Sequence, residues 1–375
     1  MQKIAFNDLS AQYAHLKKEI DAGVAEVIEG CHFISGPQVE RFEQELCAFT
    51  GRRYCVSVAN GTDALLMPLM AKGIGPGDAV FVPSFTFVAT AEVATLRGAT
   101  PVFCDVLEGT FNLDPDSLLE QIQRVKKEGK LRPRAVIPVD LFGQPADFER
   151  ILPICREYGL FVIEDGAQGF GGEIRGHKAC SFGDVSATSF FPAKPLGCYG
   201  DGGAIFTDDK ELYDLLVSIR VHGKGTFKYD NIRPGLNSRL DTLQAAILLP
   251  KLHAFEKENT VRNKAAALYT SLLKDRFDVP EVPEGFASSW AQYTIKAEDS
   301  AHRDRLMKGL EKAGIPSMVY YPKPLHFQDV YKPLGYRPGS LPVSESLSGR
   351  VLSLPMHGYI TEEIVASVCD VLKSL

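Results

Sequence analysis

One lysine, one aspartate and a set of Gly/Ser/Thr turns are the residues whose types and spacing can do chemistry together. Lys194 lies in the run Ser186-Ala187-Thr188-Ser189-Phe190-Phe191-Pro192-Ala193-Lys194-Pro195-Leu196-Gly197-Cys198-Tyr199-Gly200-Asp201-Gly202-Gly203. Pro192 and Pro195 restrict the backbone around it, while Gly197, Gly200, Gly202 and Gly203 permit dihedrals that other residues avoid. Such framing aims an amine; a lysine in a tight exposed loop is the ordinary alternative on this stretch alone. The apolar run Leu160 to Ile163 stops at Glu164-Asp165, which puts Asp165 at the end of a buried strand. A carboxylate there is costly to desolvate unless it meets a positive partner such as a protonated ring nitrogen, or caps the turn through Gly166 and Ala167. Asn60-Gly61-Thr62 at a helix start offers unpaired N–H groups and a hydroxyl, suited to a phosphate and equally to a plain helix cap. Ser189, five residues before Lys194, brings a second hydroxyl toward the same anion.

Taken together, these residues call for a phosphate, an aromatic nitrogen to be kept protonated and a carbonyl for an amine. Pyridoxal 5′-phosphate (PLP) supplies all three. Phe87, after Pro83-Ser84-Phe85-Thr86, can stack on its ring or pack in the core.

The elements that must position these groups read as α/β. At 375 residues the chain exceeds a usual single core, so a large and a smaller domain are expected, 1–250 and 251–375. Apolar residues at 45% and charged residues at 23% are ordinary for a soluble enzyme, and the net charge of -6 argues against nucleic acid or anionic membrane as the main partner. The start lacks the apolar core of a signal peptide, and no apolar run is long enough for a bilayer. Eight scattered cysteines without CxxC spacing point to a reduced, cytoplasmic enzyme with no metal site, and Cys198 to a packing role.

In order, 11–28 reads as an amphipathic helix and Pro37 opens a second one. Strand, turn and helix then alternate: strands over 54–58, 79–82, 101–104, 135–139 and 160–163, helices after Thr62, over 87–96 and over 146–158. The apolar strands predict a sheet covered on both faces and largely parallel, with ligands at the strand C-terminal ends. A helix follows over 211–221, then a polar, aperiodic segment over 222–238. Asp241-Thr242-Leu243-Gln244 resembles a capping box opening a helix to about Leu273, roughly 50 Å long and kinked at Pro250. A strand over 291–297 and helices over 301–313 and 361–375 make a small C-terminal α/β layer.

Asn60-Gly61-Thr62-Asp63-Ala64-Leu65, Pro83-Ser84-Phe85-Thr86-Phe87-Val88-Ala89-Thr90, Glu164-Asp165-Gly166-Ala167-Gln168, the lysine run and Asn237-Ser238-Arg239-Leu240-Asp241-Thr242-Leu243-Gln244-Ala245-Ala246 resemble the DegT family of sugar-nucleotide aminotransferases, over nearly the whole chain. That resemblance implies the PLP-dependent transferase fold of type I, like aspartate aminotransferase, and a homodimer with shared active sites. It implies Lys194 as the lysine that bonds the cofactor, Asp165 under the pyridine nitrogen, Gln168 near the ring hydroxyl and Phe87 on the ring. It also implies Gly61, Thr62 and Ser189 at the phosphate, joined by Asn237 from the neighbouring subunit.

The implied reaction moves an amino group from glutamate to a nucleotide-linked keto-sugar. The lysine run and Met318-Val319-Tyr320-Tyr321-Pro322-Lys323-Pro324-Leu325-His326 resemble members that act at C3 of a UDP-2-acetamido-2-deoxy-hexuronate for surface polysaccharide; amination at C4, or of another UDP-, dTDP- or GDP-sugar, is the alternative. Arg239 can then meet a uronate carboxylate or a phosphate, or pair with Asp241, and His326 or Tyr321 can contact the sugar. Two other readings of the fold are a sugar dehydratase, whose relatives carry histidine in place of Lys194, and a non-catalytic regulator. Where many relatives read Met-His-Pro, this chain has Met356-His357-Gly358, a change of loop shape that leaves the lysine chemistry untouched.

Overall fold

A computed structural model describes residues 4–227 and 229–375; 1–3, and Lys228 within the aperiodic segment 222–238, lie outside the described residues. Two helices open the chain. α1 (Leu9–Gly30) starts where Asp8 accepts the Ala11 N–H at 2.8 Å. α2 (Pro37–Thr50) starts on a proline whose missing N–H costs nothing in a first turn, and stops at Gly51 with φ 78°.

The large sheet is then built from β1 (Tyr54–Val58), α3 (Gly61–Ala71), β2 (Asp78–Pro83), α4 (Ala89–Leu96), β3 (Thr100–Cys104), α5 (Pro115–Glu128), β4 (Arg132–Val136), α6 (Phe148–Tyr158) and β5 (Phe161–Asp165). Two short strands, β6 (Glu173–Ile174) and β7 (His177–Lys178), precede β8 (Val185–Ser189), β9 (Gly203–Thr207) and α7 (Lys210–Arg220). The seven long strands lie in the order β1-β9-β8-β5-β4-β2-β3, and β9 alone runs antiparallel to its neighbours. Apolar clusters pack on both faces, with α3, α4 and α7 on one side and α5 and α6 on the other.

α8 (Thr242–Leu273) leaves this sheet and its last turns enter a second cluster. That cluster joins Tyr269 and Leu273 to β11 (Tyr293–Lys296), which follows the short β10 (Phe286–Ala287), to α9 (Ser300–Lys312) and, beyond α10 (Pro342–Arg350), to β12 (Val351–Leu354) and α11 (Glu362–Ser374). β11 and β12 pair antiparallel.

Several details depart from the sequence expectations. The strand expected over 135–139 is Arg132–Val136, because Pro138 has no N–H for the ladder; its carbonyl instead accepts the Asp165 N–H at 2.9 Å. The expectations include no helix between β3 and β4, where α5 lies. The helix expected from Phe87 begins at Ala89, which leaves Phe87 in the loop before it. The capping box at Asp241 does not form: Asp241 makes no side-chain cap bond, and Gln244 Oε1 accepts the Tyr199 N–H at 2.9 Å.

Candidate active site

The strand order decides what meets at the C-terminal edge of the sheet. β9 lies between β1 and β8, so Gly203 is opposite Val58 on one side and Ser189 on the other. The turn after β1 is thereby brought against the end of β8. A Cβ on Gly61 would come within 2.6 Å of the Ser189 Cβ, so this first residue of α3 tolerates no side chain. Asn60 accepts the Asp63 N–H at 2.8 Å, while the N–H groups of Gly61 and Thr62, in the first turn, have no intrahelical partner.

After Ser189 the lysine loop folds back on itself. The Lys194 N–H donates to the Phe191 carbonyl at 2.8 Å, and a Cβ on Gly197 would lie 2.5 Å from the Pro192 carbonyl oxygen. Glycine is therefore required where the loop closes. The loop delivers Lys194 to a cavity of about 430 Å³ whose walls include Gly61, Thr62, Phe87, Asp165, Gln168, Ser189 and Tyr321.

Asp165 ends β5 with 5% of its surface exposed. Its carboxylate accepts Thr90 Oγ1–H at 2.8 Å and the Ala167 N–H at 3.2 Å. Burial nevertheless raises its pKa, against the opposing effects of those two donors and of the Lys194 charge. Burial lowers the Lys194 pKa in turn, and the Asp165 charge pulls it back up only in part. Both groups are thus pushed toward their neutral forms by a desolvated site short of charge partners.

Gln168 is held from both ends: its Oε1 accepts the Phe142 N–H at 2.9 Å, and its Nε2 donates to Tyr321 Oη at 3.1 Å. Burial raises the Tyr321 pKa, so the phenol stays protonated. Phe87 keeps 54% of its surface exposed on the cavity wall, tilted against Tyr321 with ring centroids 6.3 Å apart.

Eight of the expected site residues therefore share one cavity: Lys194, Asp165, Gln168, Gly61, Thr62, Phe87, Ser189 and Tyr321. Three lie elsewhere. Asn237 is exposed, away from its own chain's cavity lining, and Arg239 is half-buried nearby, with no ion pair to Asp241 among the described residues. His326, expected at the sugar, is 1% exposed and outside the lining. Its ring bonds Ser84 Oγ at 2.6 Å and Glu345 Oε1 at 3.3 Å, which ties the end of β2 to α10, so it cannot reach a ligand.

The sequence reading missed Thr90, which steadies Asp165, and Gln292, whose Oε1 is buried without a partner in the cavity wall. Thr90 stands within the quoted Pro83–Thr90 motif, but nothing local marks its partner, 75 residues away. Gln292 had no signal.

A PLP molecule fits these residues on three observations of the structure. A buried carboxylate with a raised pKa makes no ion pair among the described residues, a helix N-terminus with a hydroxyl on each side opens into the cavity, and an aromatic side chain lies uncovered on its wall.

The DegT/DnrJ/EryC1/StrS aminotransferase family pattern matches residues 14–373. The chain is 46% identical to UDP-2-acetamido-2-deoxy-3-oxo-D-glucuronate aminotransferase of Pseudomonas aeruginosa over 99% of this chain and 100% of that protein. It superposes on the crystal structure of a DegT DnrJ EryC1 StrS aminotransferase from Brucella abortus with a TM-score of 0.96 and 51% identity, covering 99% of each chain. On ntda from Bacillus subtilis with bound cofactor PMP the TM-score is 0.86, with 30% identity over 98% of this chain and 83% of that one.

Proposed function

This chain belongs to the DegT/DnrJ/EryC1/StrS aminotransferase family, and from that premise we propose that it uses glutamate to aminate the C3 ketone of a UDP-2-acetamido-2-deoxy-hexuronate, for surface polysaccharide. It is a PLP-dependent sugar-nucleotide aminotransferase with the type I fold. The observation that carries the reading is the cavity in which a desolvated lysine amine, a buried carboxylate short of a cation and the N-terminus of α3 converge. The 46% identity to a relative named for the 3-oxo-glucuronate supports the choice of sugar.

The residues divide the work as follows. The N–H groups of Gly61 and Thr62, with the hydroxyls of Thr62 and Ser189, would receive the cofactor phosphate. Asp165, steadied by Thr90 and Ala167, would hold the proton on the ring nitrogen, and that positive charge is the partner its burial lacks. Phe87 would cover a ring face and Gln168 the ring hydroxyl. PLP, when bound, supplies a carbonyl that takes up amines and a ring that absorbs electrons. Lys194 Nζ, more readily neutral because of its burial, would be the amine that holds the cofactor at that carbonyl and, once free, the base that moves the proton at the donor's α-carbon.

Lys194 is the one cation among the described residues lining the cavity, so the anionic groups of cofactor and substrates need further positive charge. We assign it to the partner subunit's Arg239 in a homodimer, meeting the uronate carboxylate or a phosphate, while the partner subunit's Asn237 adds a neutral hydrogen-bond donor to the cofactor phosphate. Residues 1–250 and 251–375 are proposed as the large and small domains, with α8 as connector, in an enzyme of the cytoplasm with free thiols. Among the described residues no helix is long and apolar enough to cross a membrane.

The test is amination of keto-sugar nucleotides generated in situ, with glutamate as donor. The 3-keto UDP-hexuronate is expected to exceed the corresponding neutral 3-keto sugar by at least about 10²-fold in kcat/KM, since a site built to pair a charged group rejects analogues lacking it. Preference for a 4-keto or neutral sugar would remove the substrate assignment while leaving the aminotransferase in place.

A further inference from the structure

α8 passes behind the lysine loop with one face turned toward it, on which Gln244, Lys251, Phe255, Glu258 and Arg262 recur at helical spacing. Three of these side chains grip the loop's backbone. Gln244 accepts the Tyr199 N–H at 2.9 Å, Lys251 Nζ donates to the Gly197 carbonyl at 2.7 Å, and Arg262 donates to the Pro195 carbonyl at 3.3 Å. Pro195 directly follows Lys194, so the grip falls on the segment from which the reacting side chain departs.

Two of the three are cations where cations are expensive. Lys251 is 1% exposed and Arg262 6%. Burial pushes the Lys251 amine down to about 8 and lowers Arg262 as well, with Glu258 opposing both. Glu258, itself buried, lies 3.6 Å from Arg262 and also accepts Gln12 Nε2 at 2.9 and 3.0 Å and the Tyr359 hydroxyl at 2.8 Å. Gly358 makes room for this contact: a Cβ there would lie 2.5 Å from that of Glu258. Two buried cations share one carboxylate already committed to other donors, whereas an apolar face of similar volume would pack as well or better. What the cations add is two fixed points on the loop's carbonyls, and the Lys251 ammonium also sits 4.1 Å from the centre of the Tyr199 ring.

We propose that Lys251 and Arg262 are positioning residues for the transamination, clamping the lysine loop so that the Lys194 amine enters the cavity from one direction. The inference rests on Lys194 being the reacting amine.

Lys251→Met keeps an unbranched stem of similar size and removes the ammonium. In the PLP-loaded enzyme it is expected to leave the thermal midpoint unchanged or raised and the KM for glutamate within about threefold, while kcat falls at least about tenfold, since a misaimed amine costs turnover rather than binding. The pH midpoint of the bound cofactor's absorption should shift with it. Lys178→Met, which removes a lysine that pairs with Glu173 and Glu256 and bonds neither loop carbonyl, should keep wild-type kcat. A wild-type kcat in Lys251→Met, or a lowered midpoint with full turnover per folded molecule, overturns the proposal. Should Lys251→Met fail to fold, Arg262→Gln is read by the same criteria, and an unchanged kcat there is equally fatal. Lys194→Ala separates the two levels: activity surviving in it removes the site assignment, whereas an inactive Lys194→Ala beside a fully active Lys251→Met removes only the clamp.

Discussion

Glu164 and Asp165 are consecutive residues at the end of β5, buried carboxylates on opposite faces of one sheet. On one face Glu164 is completed by the protein: it accepts the N–H groups of Cys180 and Phe182 at 2.6 and 2.7 Å and the Ser186 hydroxyl at 2.6 Å. Behind it lies Asp140, whose carboxyl is driven well above its usual range by burial and then by the Glu164 charge, and so stays protonated. On the other face Asp165 has one hydroxyl and one N–H, and beyond them an open cavity. The difference shows how a fold marks its chemistry. A buried charge whose donors all come from the chain is fastening, and one left short beside a cavity awaits a ligand.

Substitutions at the two positions should break this contrast in opposite directions. Asp165→Asn should lower kcat on the order of 10²–10³-fold, because the charge that holds the ring nitrogen's proton is gone. Its thermal midpoint should stay near wild type, since the Asn oxygen still accepts the Ala167 N–H and its NH2 can donate to the Thr90 hydroxyl, which unlike a backbone N–H can also accept. Single-turnover absorbance with glutamate measures the first effect and thermal unfolding the second; full turnover in Asp165→Asn would dissolve the distinction between the faces.

Glu164→Gln should do the reverse. It turns an NH2 group toward donors that need acceptors, at a cost of about 2–3 kcal/mol of stability, while kcat per folded molecule is kept. Denaturant unfolding reads the cost, and a variant as stable as wild type would show that the fastening role is wrong.

The smallest effect sharpens the comparison with a buried base. His357, 5% exposed, has its pKa lowered to about 4 by burial. Because the unfolded chain takes up this proton at higher pH than the folded one, stability present above the ordinary value near 6.5 is lost as pH falls toward 4. His357→Gln should flatten that limb of the stability-versus-pH curve. An unchanged limb would mean that other groups set it.

The chemistry was legible in the sequence wherever one short stretch carries both a reactive side chain and the backbone geometry around it. The prolines flanking Lys194 and Asn60 capping α3 are local facts, and so is the apolar run that ends at Asp165. The capping box at Asp241 and the sugar contact of His326 failed for one reason: Gln244 and His326 have their partners, Tyr199 and Ser84, 45 and 242 residues away in the chain. Local pattern shows that a side chain can bond, and not to what.

By itself, then, the sequence determined the α/β alternation, the buried strand end and the framed lysine, because periodicity and dihedral preference act over a few residues. The tertiary structure alone decided that β9 would press Gly61 against Ser189, that Thr90 would hold Asp165, and that Lys251 and Arg262 would grip the lysine loop. Those contacts join residues far apart in the chain, and their partners exist only once strand order and helix packing have brought them together.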